Sequence, residues 1–286
     1  MSRNFISRTK KIIFSFLCVS GFLIIVSCNS QTDSFSGNSN TDNYQDKIAK
    51  NIILMIGDGM GVSQVYAGIT ANHGHLNIEK FKNIGFSKTY SASDYITDSG
   101  AGGTAIAIGF KTYNHAIGVD ADTIPHKSIL EYAEENGKTT GLVATSTIAH
   151  ATPASFIAHQ PKRYMYEDIA EDFLKTDIDV FIGGGLNHYE MLDFDRVIGK
   201  VFEFAEQDGN TLVIITADHE TGGMGLNKGN FEKGIVKAGY TTGNHTGVMV
   251  PVFAYGPGSE KFRGIYENTD IFYKMMESFG FEPEMK

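Results

Sequence analysis

Only two cysteines, Cys18 and Cys28, occur in 286 residues. Cys18 sits inside a leader-like N-terminal stretch and leaves with it on cleavage. No disulfide can then form within the mature chain, and no zinc site can be built from thiolates. Positive charge is also scarce: 24 Lys and Arg against 33 Asp and Glu leave a formal charge of −9. With no basic patch interleaved with aromatics, nucleic acid is excluded as the main partner. An acidic protein that handles an anionic substrate needs local positive charge from metal ions or a placed arginine. No internal repeat is present. The apolar stretch Ile12 to Val26 has 15 residues, short of the ~20 that a membrane-spanning helix takes.

That stretch reads instead as a targeting signal. Arg3, Arg8, Lys10 and Lys11 precede it, and it ends in Ile25-Val26-Ser27-Cys28, which resembles a bacterial lipobox. The expectation is a signal peptide over residues 1–27, whose loss removes four basic residues and takes the charge from −9 to −13. A lipidated Cys28 would anchor the protein to the membrane of the bacterial cell envelope, periplasmic or at the cell surface. Residues 28–48 are rich in Ser, Asn, Asp and Thr and read as a flexible tether. Residues 49–286 form the folded domain, and 42% hydrophobic content suffices for its core.

Within the domain, two apolar runs end in metal-type side chains. Leu212 to Thr216 runs straight through Ala217 into Asp218, His219 and Glu220, and Ile52 to Ile56 runs into Gly57-Asp58-Gly59. Such runs read as strands buried on both faces, and open α/β sheets place their ligands at the carboxyl edge. Asp and His are ordinary zinc ligands. Further strands are read over Thr139 to Ser146, Asp179 to Gly185 and Met249 to Tyr255, with helical patterns over Lys127 to Glu135 and Glu267 to Phe279. The class is α/β with a mainly parallel sheet. Ser99 stands where a closely packed helix of small residues begins. There the helix dipole and free N–H groups favour an anion, although serine is also a common cap. Arg163, which can offer a fork to phosphate, and His245, set between Gly243 and Gly247, have no partner assigned by spacing alone.

Five ordered motifs carry a resemblance: MIGDGMG around Asp58, TDSGAGGTA around Ser99, HATPA around Thr152, TADHETGG around Asp218 and NHTG around His245. From about Asn51 to the C-terminus the chain resembles the alkaline phosphatase family, of the bacterial lipoprotein type. The resemblance implies a three-layer sandwich with a mainly parallel central sheet flanked by helices. It implies hydrolysis of phosphate monoesters at alkaline pH through a phosphoserine at Ser99, with Arg163 binding the substrate phosphate. Asp58, Asp218 and His219 are implied to hold the zinc that activates Ser99. Asp58 and Thr152 contribute to a magnesium site near His150, and His245 to a second zinc. Two metal ions would stabilise the entering and leaving oxygens. Members of the family are often homodimers.

The chain departs from the family between Gly185 and Met191. There the relatives carry a long segment with a magnesium-binding Glu and an Asp-x-x-x-His pair for the second zinc. Its loss implies an incomplete sheet, exposed apolar surface and a His245 without co-ligands. Asp122 and His126 have the spacing of the lost pair but lie in a segment without a metal role, and His188 and Glu190 flank the junction. Two functions follow: an active phosphomonoesterase, or an inactive or weakly active relic that binds a single metal or phosphate. A phosphodiesterase, the third reading, is disfavoured by the Asp-Ser-Gly context of Ser99.

Overall fold

The structure, a computed structural model, describes residues 47–184 and 190–283. The expected signal peptide, Cys28 and His188 lie outside the described residues, and so does the expected tether up to residue 46. The first half of the domain holds β1 (Asn51–Ile56), α1 (Val62–Ala71), β2 (Asn83–Lys88), α2 (Ser99–Ile108), α3 (Ile129–Glu135), β3 (Gly141–Ala144), α4 (Ala151–Ala154) and α5 (Tyr166–Phe173). The second half holds β4 (Val180–Gly183), α6 (Glu190–Asp208), β5 (Thr211–Thr216), β6 (Glu220–Thr221), β7 (Gly225–Asn230), β8 (Ile235–Gly239), β9 (His245–Thr246), β10 (Val250–Tyr255), β11 (Gly264–Glu267) and α7 (Thr269–Phe279).

Five strands make the central sheet, in the order β1-β5-β10-β2-β11. All six residues of β5 are buried, and their side chains alternate between two cores, as the pleat dictates. Leu212 and Ile214 pack with Ile106, Phe262, Ile271 and Phe272 on the α2/α7 side. Val213 and Ile215 pack with Val65, Phe81, Ile198 and Ala205 on the α1/α6 side. Helices therefore cover both faces, which is the three-layer sandwich. The α6 layer is tied down by a buried carboxylate. Asp195 accepts from the backbone N–H groups of Asn77 (2.9 Å) and Ile78 (3.1 Å) and from the Asn77 amide (3.0 Å).

β1 pairs with β5 in parallel and β11 with β2 in parallel, while β10 runs antiparallel to both its neighbours. The sheet is thus mainly parallel in direction with one reversed strand. The reversal follows from the connection: between β5 and β10 the chain makes only the short strands β6 to β9, without the helical crossover that a parallel return uses.

The expected incompleteness is visible in two strands left outside the central sheet. β3 and β4 pair with each other in parallel, in register from Gly141↔Val180 to Ala144↔Gly183, as a two-stranded sheet apart from the central one. Its apolar side chains face solvent: Val143 is 72% exposed, Phe181 46% and Ile182 55%. Among the described residues no helix is long and apolar enough to cross a membrane.

Candidate metal and phosphate site

The unbroken register of β1 on β5 ends at Ile56↔Thr216, so Asp58 and Asp218 leave the carboxyl edge side by side. Nε2 of His219 lies 3.4 Å from Asp58 Oδ1 and 3.4 Å from Asp218 Oδ2. The ligand atoms of these three residues all lie within 4.8 Å of one another. Asp218 and His219 are buried and Asp58 is exposed. Nδ1 of His219 faces the Glu220 carbonyl at 3.3 Å. A carbonyl only accepts, so with a cation at Nε2 the proton sits on Nδ1 and the Nε2 lone pair serves the cation.

The second oxygen of Asp218, Oδ1, accepts from the N–H groups of Gly59 and His219, each at 3.1 Å. Gly59 takes φ +74°, and a Cβ there would come 2.5 Å from Thr221 Oγ1, so the turn requires glycine. Burial, and then the charge of Asp58, push the Asp218 carboxyl up to about 6. Two converging carboxylates and an imidazole lone pair form a donor set that fits a divalent cation. A cation would also relieve the repulsion that raises Asp218.

Ser99 faces this cluster, its Oγ 3.1 Å from His219 Nε2. The cap of α2 is Asp98 rather than Ser99: Asp98 Oδ1 accepts from the Ala101 N–H at 3.0 Å. Ser99 is the first helical residue, which leaves its hydroxyl free for the cluster. The small residues of α2 let it lie directly on the end of β5, since a Cβ on Gly102 would meet the Asp218 carbonyl oxygen at 2.6 Å.

Thr152, in the single turn of α4, donates to Asp58 Oδ2 at 3.1 Å and lies 3.5 Å from Asp218 Oδ2. His150 precedes that turn, and its Nε2 lies 3.3 Å from Arg163 Nη2. Burial, and then the Arg163 charge, lower the His150 pKa, so the ring is a neutral acceptor. Arg163 lies in the turn before α5, not on a helix, and donates from Nη1 to Asp98 Oδ2 at 2.8 Å. Burial works to raise the Asp98 carboxyl. Hydrogen bonds from Ala101, His115 and Arg163 outweigh it and hold Asp98 below the usual carboxylate range.

His245 stacks on His219, ring centroids 3.5 Å apart at 18°, and its Nδ1 lies 3.0 Å from the Thr97 carbonyl. Burial, and then His219, lower its pKa. It falls outside the converging trio, which is the one group of three His, Cys, Asp or Glu side chains with metal-holding geometry among the described residues. The Asp122 and His126 pair makes no site either: His126 bonds Asp120 at 2.7 Å and stacks on Phe110. Glu190 opens α6.

Two participants escaped the sequence reading, and a third, Glu220, was read only as part of a polar strand end. Asp98 and His115 organise Arg163. Glu220 is buried and accepts from Gly223 N (3.0 Å), Met224 N (3.2 Å), Gln64 (3.0 Å) and the Thr246 hydroxyl, so it ties β6 to β9 and thereby sets His245. The available signal was adjacency, since Asp98 and Glu220 each stand beside a residue already singled out.

A helix-start serine facing a carboxylate–imidazole cluster, with an arginine held alongside, is the apparatus of a hydrolase that works on phosphoryl groups. The family model for alkaline phosphatase matches residues 49–189, 186–236 and 226–280. The chain is 29% identical to alkaline phosphatase 4 of Bacillus subtilis over 416 residues, covering 82% of this chain and 90% of the relative. Its fold is similar to that of the alkaline phosphatase from the Antarctic bacterium TAB5, with TM-score 0.74, 34% identity, and coverage of 82% of this chain and 99% of that one. A mutant of that enzyme, solved with Mg bound, matches with TM-score 0.75 and 33% identity over 82% of this chain and 99% of its own. The chain belongs to the alkaline phosphatase family, whose chemistry is the hydrolysis of phosphate monoesters.

Proposed function

We propose that Ser99 takes the phosphoryl group from a phosphate monoester, with Arg163 receiving the phosphate and one zinc held by Asp58, Asp218 and His219. The observation that carries this reading is the 3.1 Å approach of Ser99 Oγ to His219 Nε2 at the mouth of the converging trio. Bound there, the cation would lower the pKa of the serine hydroxyl and neutralise charge on the phosphate. The Ser99 Oγ–P bond forms, the ester P–O bond breaks, and the alcohol leaves with a proton. Water then cleaves the phosphoserine to free serine and inorganic phosphate. Arg163 is pre-aimed by Asp98, which spares the ordering cost of a long side chain when phosphate binds. Asp58 and Thr152 would hold magnesium weakly, since that ion relies on carboxylates and ordered waters.

Among the described residues His245 stands outside the only metal-holding group, which favours a weakly active relic over a fast enzyme. One protein ligand does not hold a zinc tightly, because three or four are normal. The step that needs an activated water is therefore the impaired one. A lost segment between Gly185 and Met191 is the cause we propose. It is supported by the family match, which breaks into pieces around residues 186–189 and again at 226–236, and by a 416-residue alignment that engages only 82% of a 286-residue chain. Envelope anchoring through Cys28 rests on the Ile-Val-Ser-Cys pattern, and labelled palmitate should enter the wild type but not Cys28→Ala.

Acid-quenched mass spectrometry after incubation with zinc and an aryl phosphate tests the main reading. Phosphate should appear on the Ser99 peptide, with about one aryl alcohol released per chain in a burst. An undiminished burst in Ser99→Ala would remove Ser99 from the chemistry. Fast steady turnover with two tightly bound zinc ions would overturn the relic reading.

A further inference from the structure

We infer that His115 is a positioning residue for the phosphate site, locking the Asp98 carboxylate in the orientation that holds Arg163. The inference rests on the reading of Arg163 as the group that receives phosphate. His115 has φ +78°, a left-handed conformation that side chains other than glycine rarely adopt. What the residue gains there is a grip on both partners at once. Its backbone N–H donates to Asp98 Oδ1 at 3.0 Å, and its ring Nδ1 lies 3.0 Å from Asp98 Oδ2. Its carbonyl accepts from the backbone N–H of Arg163 at 2.6 Å. Asp98 Oδ2 meanwhile takes Arg163 Nη1 at 2.8 Å. Asp98, Arg163 and His115 thus form a closed triangle, and Asp98 also caps the helix that begins at Ser99.

An ionised carboxylate only accepts, so Nδ1 of His115 carries the proton in this contact. The His115 ring is half-exposed at the rim and leans on Tyr164 at 5.7 Å. The Arg163 guanidinium lies 5.9 Å from the same Tyr164 ring. A guanidinium matches phosphate through two parallel N–H donors in one plane, and that match is lost if the plane rotates. Without the ring of His115, Asp98 Oδ2 keeps only Arg163 while Oδ1 stays on the Ala101 and His115 N–H groups, so the carboxylate loses the contact that fixes its plane at the arginine end. The left-handed backbone points both the N–H and the imidazole of one residue at one carboxylate.

Two substitutions separate the side chain from the fold. His115→Gly keeps both backbone contacts and relieves the left-handed conformation. His115→Asn tolerates that conformation and supplies an amide N–H for Asp98. Each is purified with zinc and followed by the guanidinium 15N–1H resonances of Arg163, by calorimetric titration with inorganic phosphate, and by thermal melting. The glycine variant should melt no lower than the wild type, release the restricted rotation of the Arg163 guanidinium, and bind phosphate on the order of tenfold more weakly. The asparagine variant should recover both. An Arg163 that stays locked in His115→Gly, or phosphate binding unchanged in it, overturns the inference, as does equal loss in both variants. If the wild type binds no phosphate, the proposed function fails, while the guanidinium resonances still decide the role of His115.

Discussion

Asp218→Asn should make the metal-free protein more stable and abolish its response to zinc. In the wild type, burial and the neighbouring Asp58 raise the Asp218 carboxyl from 3.8 to about 6. A raised carboxylate pKa means that ionisation opposes folding. The associated stability is fully present below the unfolded value near 4 and is lost as pH rises through about 6. At pH 8 the rise from 3.8 to about 6 is worth on the order of 3 kcal/mol. Asparagine keeps the Oδ1 acceptor for the Gly59 and His219 N–H groups and carries no charge. Urea unfolding in the presence of a chelator should therefore show a gain of about 2–3 kcal/mol at pH 8, shrinking toward zero near pH 4. With free zinc at about 100 times its dissociation constant, the wild type should gain about 2.7 kcal/mol and the variant almost nothing. A metal-free variant less stable than the wild type at pH 8, or one that zinc stabilises equally, would refute the placement of the cation at this trio.

Asp195→Ala should cost about 2–4 kcal/mol in chemical denaturation, because it strips a charged acceptor from the backbone N–H groups of Asn77 and buried Ile78, which open the 3-10 turn Asn77–Lys80. Gly102→Ala should leave the chain folded but push α2 off β5, since the new methyl meets the Asp218 carbonyl at 2.6 Å. The rate of Ser99 phosphorylation should then fall by about 10²-fold or more, and an unchanged burst rate would contradict the packing argument. His159 has Nδ1 on the Gly118 carbonyl and Nε2 on Glu131, at 2.7 and 3.2 Å. Burial lowers its pKa, but these acceptors outweigh burial and raise it. The stability it confers is full at low pH and is lost as pH rises through the raised value, so His159→Gln should destabilise more at pH 6 than at pH 9. Phe181→Lys with Ile182→Thr should reduce self-association in light scattering, because both side chains stand exposed on β4.

What could be read from the sequence was whatever buries itself in a continuous run. β5 and β1 were legible because every residue, or nearly every one, is apolar, and because chemistry begins where the run stops. β2, with the sequence NIGFSK, was not. Its core contacts come from its place between β10 and β11 rather than from its own hydrophobicity, and Gly85 is there because the Phe262 carbonyl would lie 2.2 Å from a Cβ. The β7–β8 hairpin is mostly exposed and rich in glycine, so it carries no periodic signal. At the site, Asp58, Ser99, Thr152, Asp218 and His219 come together at the carboxyl edge of the sheet. Asp98 was hidden because a capping aspartate looks the same in sequence whether or not it also steers an arginine. His115 was hidden because a left-handed backbone leaves no mark on a histidine.

The divergence of the two histidines follows from how each is supported. His219 is fixed by the end of a fully buried strand, by the Glu220 carbonyl on one ring nitrogen, and by two carboxylates and a serine around the other. His245 sits on a two-residue strand held by Glu220 and Thr246, with its ring stacked on His219. Such a ring is well placed but, among the described residues, has no carboxylate partner in the trio's geometry. A zinc drawn to it must supply most of its coordination from water, and its affinity falls accordingly. Elemental analysis of the purified chain should therefore give about one zinc, not two. Excess zinc should raise the burst rate of phosphoserine formation until that single site fills, without raising the slow release of phosphate. If phosphate release instead rises with zinc in a second, separate saturation, His245 has recruited ligands of its own, and the hydrolytic half of the reaction is intact.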